Sequence, residues 1–204
     1  MRLLRNWLSR LGLVPGIRRT CVMIGLDCAG KTTIARQFGQ PAVSNTDLEP
    51  TMPTVAFNAS TIRQGSISLT LFDMSGNPRQ RSLWSPYLLN THAVIFVVDA
   101  TDKDRIEIAR RELHLALKDQ VAKACPLLIL CNKMDRENEA MPPDEVAGLL
   151  GLEAFKDRNW YLCGCSAITG RGLSEGFEWL IGMVLAFLPC MQVLLLTADT
   201  SRAT

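Results

Sequence analysis

Short apolar runs rich in β-branched residues alternate with helical patterns along nearly the whole chain. No other feature narrows the fold as far. The strand-like runs are 20–25 (TCVMIG), 55–63, 67–73 (ISLTLFD), 93–99 (AVIFVVD), 127–131 (LLILC) and 160–165, and helical periodicity occupies 31–39, 103–120, 143–150 and 173–188. Strands and helices in such alternation imply a six-stranded, mostly parallel α/β sheet with helices on both faces. Gln64-Gly65-Ser66 between the second and third runs is a hairpin signal, so one antiparallel edge is expected. No repeat, low-complexity tract or dividing linker occurs. A length of 204 residues then gives one domain with appendages: an N-terminal helix and linker at 1–18, the domain at 19–188 and an apolar tail at 189–204. The polar stretch 40–53 (QPAVSNTDLEPTMP) is long for a plain connection, and loops of that length are usually functional or disordered.

Composition removes several classes. Apolar residues make up 48% and charged residues 21%, which excludes a disordered chain. A formal charge of +2 excludes a strongly basic nucleic-acid binder, so no nucleic-acid partner is expected. The 7 cysteines are an odd number for a secreted disulfide framework and read as reduced thiols in a cytoplasmic protein. Cys163 and Cys165 form a C-x-C, but no further spacing completes a zinc site.

The two ends are apolar in different ways. Leu3, Leu4, Trp7, Leu8 and Leu11 share one helical face, opposite Arg2, Arg5, Asn6, Ser9 and Arg10. A basic amphipathic helix of this kind suits a reversible membrane contact; packing on the domain and a mitochondrial presequence are the alternatives. Arg2 at the second position excludes N-myristoylation. From Trp179 to Ala198 no residue is charged. Pro189 interrupts this segment, which favours a last helix ending near Leu188 with a short apolar tail over a membrane span. The terminal Ser-Arg-Ala-Thr is no prenylation box.

The run 20–25 leads directly into Gly25-Leu26-Asp27-Cys28-Ala29-Gly30-Lys31-Thr32-Thr33 and then a helical pattern. This is G-x-x-x-x-G-K-[ST] between a strand and a helix. Backbone amides of such a loop wrap phosphates, and the helix N-terminus adds positive potential. Lys31 reaches the β- and γ-phosphates, and the Thr32 hydroxyl binds Mg2+. A Gly-rich turn without a ligand is the bland alternative.

Three later elements specify the base. Asp73-Met74-Ser75-Gly76 ends a strand as D-x-x-G, Asn132-Lys133-Met134-Asp135 follows a buried run as N-K-x-D, and Cys165-Ser166-Ala167 follows the last strand. Their order and spacing resemble the small GTPases over nearly the whole chain. GLDCAGKT, PTVAFN at 53–58 and Leu83-Trp84 resemble the ADP-ribosylation-factor and Arf-like family. FDMSG followed by Arg81-Ser82-Leu83-Trp84, NKMD, and the closing GRGLSEGFEWL resemble its ciliary branch, linked to Bardet–Biedl syndrome.

The resemblance implies a P-loop small GTPase fold binding GTP or GDP with Mg2+, and roles for individual residues. Asp135 would accept from the guanine N1 and N2 amines, an edge that adenine does not offer. Asn132 would tie the base loop to the phosphate loop, the Lys133 stem would cover the ring, and the Ala167 amide, beside Ser166, would meet guanine O6. Thr54 would join Thr32 on the metal, Asp73 would hold a metal-bound water, and the Gly76 amide would touch the γ-phosphate. Phe57, Phe72 and Tyr87, with Trp84 beside them, would face effectors. Partners would be an exchange factor, an activating protein, effectors and a membrane surface. The expected form is a monomer in the cytoplasm and peripherally on membranes, at the ciliary base or on Golgi or endosomal membranes.

Three residues depart from the family pattern. Asn77 stands where a Gln orients the attacking water, Ala56 stands where Gly is usual, and Arg2 replaces the acylated Gly. Asn77 is the candidate catalytic residue and motivates slow hydrolysis. The alternatives are a non-hydrolysing GTP-bound scaffold and a P-loop kinase or ATPase; NKMD argues against the last.

Overall fold

A computed structural model describes residues 17–39, 52, 54–64, 67–118 and 125–186. The N-terminal face of Leu3, Leu4, Trp7, Leu8 and Leu11, nearly all of the 40–53 loop and the 189–204 tail lie outside the described residues.

In chain order the elements are β1 (Ile17–Gly25), α1 (Lys31–Gly39), β2 (Phe57–Gln64), β3 (Ile67–Met74), α2 (Trp84–Leu88), β4 (Ala93–Asp99), α3 (Ile106–Ala116), β5 (Leu127–Asn132), α4 (Pro143–Leu150), β6 (Trp160–Gly164) and α5 (Leu173–Ala186). Short 3-10 turns at Arg81–Leu83 and Lys103–Arg105 lead into α2 and α3. The strands form one sheet in the order β2-β3-β1-β4-β5-β6. Only the β2–β3 pair is antiparallel, with Phe57 opposite Met74 and Gln64 opposite Ile67.

Side-chain alternation divides the core into two layers. Cys21, Met23, Ile95, Val97, Leu128 and Leu130 face one side and pack with Ile34 of α1 and Phe177, Leu180 and Val184 of α5. Val22, Ile24, Phe96, Leu127 and Ile129 face the other and pack with Trp84 and Leu88 of α2, Ile106 and Leu113 of α3, and Val146 and Leu150 of α4. Central strands covered on both faces need continuous apolar sequence, as AVIFVVD and LLILC have. The parallel strands therefore end together, and the loops after β1, β4, β5 and β6 meet at one rim, where such sheets bind ligands.

Three boundaries and one added helix are the main differences from the sequence reading. β1 starts at Ile17 rather than 20, because its pairing with β3 runs down to Ile17 opposite Ile67. The helix expected over 103–120 is a 3-10 turn followed by α3, which ends at Ala116. β2 starts at Phe57, since Ala56 takes a left-handed φ of 69° that no strand continues. Helix α2 was not anticipated. Its Pro86 reads as a breaker, yet within the first turn a missing N–H costs no helical hydrogen bond.

Candidate nucleotide site

The phosphate loop is shaped by what its glycines leave free. Gly25 has φ 145°, and a Cβ there would lie 2.2 Å from the Val97 carbonyl oxygen; Gly30 has φ 92°, and a Cβ would lie 2.2 Å from Asn132 Nδ2. Between them Cys28 is exposed and takes φ 61°. The loop folds back over the start of α1, where Ile34 N donates to Gly30 O at 3.0 Å. The first-turn amides and the helix dipole thus face an anion site.

Lys31 is 6% exposed and donates to Leu26 O at 2.6 Å, bridging the loop's two ends. Burial pushes its ammonium down to about 8, while the Asp73 and Asp27 carboxylates pull the other way. Anionic phosphates beside it favour the charged form. Thr33 follows on α1, half-buried.

Oxygen atoms from three segments converge next to Lys31. Thr32 Oγ1 donates to Asp73 Oδ2 at 2.7 Å and lies 2.9 Å from Thr54 Oγ1. Among the described residues Asp73 Oδ1 is buried without a hydrogen-bond partner. Burial pushes the Asp73 carboxyl up, opposed first by the Thr32 hydroxyl and the Lys31 charge. An orphaned carboxylate oxygen beside two hydroxyls fits a hard, oxygen-loving cation such as Mg2+.

The base side is held by one amide. Asn132 is 1% exposed; its Nδ2 donates to Ala29 O at 2.8 Å and its Oδ1 accepts from Ala167 N at 2.8 Å. The phosphate loop and the 165–167 loop are thereby tied together through β5. The Ala167 amide, expected at guanine O6, donates here to the buried Asn132 Oδ1, which the Cys165 thiol also approaches at 4.0 Å. Lys133 has φ 70° and pairs with Asp99, which stretches its stem across the rim. Asp135 is exposed, and Ser166 is buried with its hydroxyl accepting from Thr169 N at 3.1 Å.

Around the γ-phosphate position the structure adds Arg81 and Arg105, which the sequence did not single out as site residues, to Gly76 and Asp27. Gly76 lies directly on the phosphate loop: a Cβ there would be 2.3 Å from Asp27 N and 2.4 Å from the Leu26 carbonyl carbon. The Asp27 carboxylate receives Arg105 Nη1 at 3.2 and 3.1 Å and Arg81 Nη2 at 3.5 Å. Arg81 also donates to Gly76 O at 2.9 Å and pairs with Glu112 at 3.3 Å. An acid inside a phosphate loop calls for counter-charge, which was the available signal; the sequence alone did not say which arginines answer it.

Asn77 is exposed, and its Oδ1 accepts from Arg79 N at 3.0 Å in an Asx turn. The aromatic trio is intact: Phe57–Phe72, Phe57–Tyr87 and Phe72–Tyr87 centroids lie 6.0, 5.1 and 5.2 Å apart, and Phe57 is 39% exposed. Trp84 does not join that surface. It is 3% exposed, and its indole donates inward to Ser75 O at 2.9 Å, because a buried indole N–H needs an acceptor.

The family model described as the ADP-ribosylation factor family matches residues 8–184. The chain belongs to the ADP-ribosylation factor family. Among solved structures it is similar to the Arl6 BBS3 small GTPase from Trypanosoma brucei, determined with the nucleotide analogue GppNp. The identity is 33%, the TM-score 0.75, and the match covers 83% of this chain and 98% of that one. As an Arf-family member this chain has the fold of a guanine-nucleotide switch. The small GTPases of the Arf family hydrolyse GTP, bind guanine nucleotide with Mg2+, and work through regulators and effectors. Among the described residues, no helix is long and apolar enough to cross a membrane.

Proposed function

We propose that this chain is a GTP-dependent switch of the Arl6 kind, recruiting effector proteins to a membrane surface in ciliary or related trafficking, with slow GTP hydrolysis. One observation carries the switch reading: Thr32, Thr54 and the half-satisfied Asp73 carboxylate meet at one point although they come from three separate segments. Thr32 and Thr54 would hold Mg2+ by their hydroxyls with Asp73 supporting it through a water, and the ion would supply charge neutralisation at the phosphates. The Gly76 amide takes the γ-phosphate, and Thr54 and Gly76 both relax when that group leaves. Phe57, Phe72 and Tyr87 form the face that effectors read. The N-terminal apolar face of Leu3, Leu4, Trp7, Leu8 and Leu11 supplies the membrane contact.

Base choice rests on Asp135 with Lys133 and the Asn132 tie. The test is displacement of labelled GDP in Mg2+: unlabelled GTP competes at stoichiometric levels, and ATP fails even at a thousandfold excess. Equal displacement by ATP overturns the guanine assignment.

The Asx turn at Asn77 supports a second reading, a GTP-bound scaffold that barely turns over. The Asn amide sits on a stem shorter by one carbon–carbon bond, about 1.5 Å, and its carbonyl is engaged by Arg79 N. Misplacement of about 1 Å costs on the order of a hundredfold in rate. Single-turnover hydrolysis by wild type and Asn77→Gln separates the readings. A faster Gln variant supports a switch held on by its own sequence. Equal rates, alone and with an activating protein, remove any special role for Asn77.

A further inference from the structure

The two successive carbonyls of the Asp73–Asn77 turn are each held by a side chain from the segment that follows. Ser75 O accepts the Trp84 indole N–H at 2.9 Å, and Gly76 O accepts Arg81 Nε at 2.9 Å. In a trans peptide the N–H points opposite to its own C=O. Fixing Ser75 O therefore fixes the direction of the Gly76 N–H, which shares that peptide, while the Cβ face of Gly76 packs directly on the Leu26–Asp27 backbone. Fixing Gly76 O likewise turns the Asn77 N–H back, where it meets Ser75 Oγ at 3.3 Å.

We propose that Trp84 and Arg81 are positioning residues for the triphosphate form: together they lock two consecutive peptide planes so that the Gly76 amide is aimed before the γ-phosphate arrives. This inference rests on the GTP-switch reading above.

Arg81 suits the task because its three nitrogens are divided. Nε goes to Gly76 O, Nη2 to the Asp27 carboxylate of the phosphate loop at 3.5 Å, and Nη1 to Glu112 of α3 at 3.3 Å. Its side chain is 10% exposed and Glu112 15%, so solvent screens that pair little, while the Asp27 carboxylate, 42% exposed, is screened more. A planar fork can hold three acceptors in one geometry, whereas a lysine ammonium on a flexible stem cannot. Trp84 is anchored by burial against the β-sheet, so its N–H is a fixed donor rather than a wandering one. Preorganised donors of this kind cost no reorganisation when charge arrives.

The experiment uses the full chain with Mg2+, comparing wild type, Arg81→Lys, Trp84→Phe and Glu112→Gln. Dissociation of GDP and of the non-hydrolysable analogue GppNHp is measured for each, with the thermal midpoint of the GDP form as a fold control. Trp84→Phe keeps an aromatic ring in the pocket and removes the donor together with part of the buried volume, which the thermal midpoint monitors. The expected result is GDP dissociation within about twofold of wild type. Loss of one or more fixed hydrogen bonds speeds GppNHp dissociation by about fivefold for Trp84→Phe and about tenfold for Arg81→Lys. Glu112→Gln gives a smaller change in the same direction. Equal acceleration for both nucleotides means a merely structural role and overturns the proposal, as does no change for either. A wild-type chain that binds neither nucleotide refutes the switch reading itself, a separate outcome from either of these.

Discussion

The base side and the switch side of the site are held in opposite ways. On the base side one buried side chain, Asn132, bonds both the phosphate loop and the 165–167 loop, and Lys133 is fixed by Asp99. These contacts are made within the protein and ask nothing of a ligand. On the switch side, among the described residues, Thr54 meets the core of the site only through its hydroxyl, at Thr32 and Asp73, and the next turn is tied to its segment by Ser75 N bonding Ala56 O at 2.9 Å. Ala56 there takes a left-handed φ of 69°, a conformation that costs a residue with a Cβ roughly 1–2 kcal/mol. A two-state device needs one half that stays put and another whose contacts are few enough for a phosphate group to outvote. The difference between these sides supplies both.

The contrast breaks most severely at Asn132. Asn132→Ala leaves Ala29 O and Ala167 N buried without partners, at about 1–3 kcal/mol each. GDP and GTP affinity should both fall by on the order of a hundredfold, with their ratio unchanged, as read from the dissociation rates of labelled nucleotides. A shift in the ratio would mean the base side is not independent of the switch.

Lys31 gives an intermediate effect with a defined sign. Its folded value near 8 lies below the ordinary 10.5, so the nucleotide-free fold binds fewer protons than the unfolded chain between those limits. Stability of the nucleotide-free protein should therefore rise with pH across that window, by at most about 1.4 kcal/mol per pH unit. Nucleotide affinity should move the other way, falling above pH 8 as the amine loses the charge that phosphates require. Thermal melts and titrations at pH 7 to 9.5 check both slopes; parallel slopes would refute the assignment.

The smallest expected effect sharpens the switch side. Ala56→Gly removes the left-handed strain but adds freedom to the unfolded chain, for a net gain of about 1 kcal/mol or less in the conformation seen here. It should raise GppNHp affinity relative to GDP by about fivefold or less. A fall in that ratio would show that the left-handed turn belongs to the diphosphate form.

Local chemistry was legible in the sequence and distant pairing was not. The phosphate loop needs only neighbouring residues, and β4 and α4 match their expected limits because apolar runs and flanking turns define them. The length of β1 depends on β3, which periodicity within 20–25 cannot register. Asp27 was legible as a loop residue, but its partners Arg81 and Arg105 lie 54 and 78 positions on. Trp84, expected beside the aromatic trio on the effector face, is buried by the fold with its N–H on Ser75 O nine residues earlier, a pairing that its own neighbours in sequence do not register. The residues expected to contact a membrane fall outside the described part of the chain.

Cys28 has a practical consequence. Burial first of all pushes the thiols of Cys21, Cys125, Cys131, Cys163 and Cys165 up, which keeps them protonated and unreactive. Cys28 is the described cysteine at the surface, and it stands on the loop that wraps the phosphates. Among the described cysteines a thiol-directed label should find it first, and should find it more slowly when nucleotide covers the loop. The chain thus carries a chemical gauge of its own occupancy, one that a mass spectrum can read without a fluorophore or an engineered site.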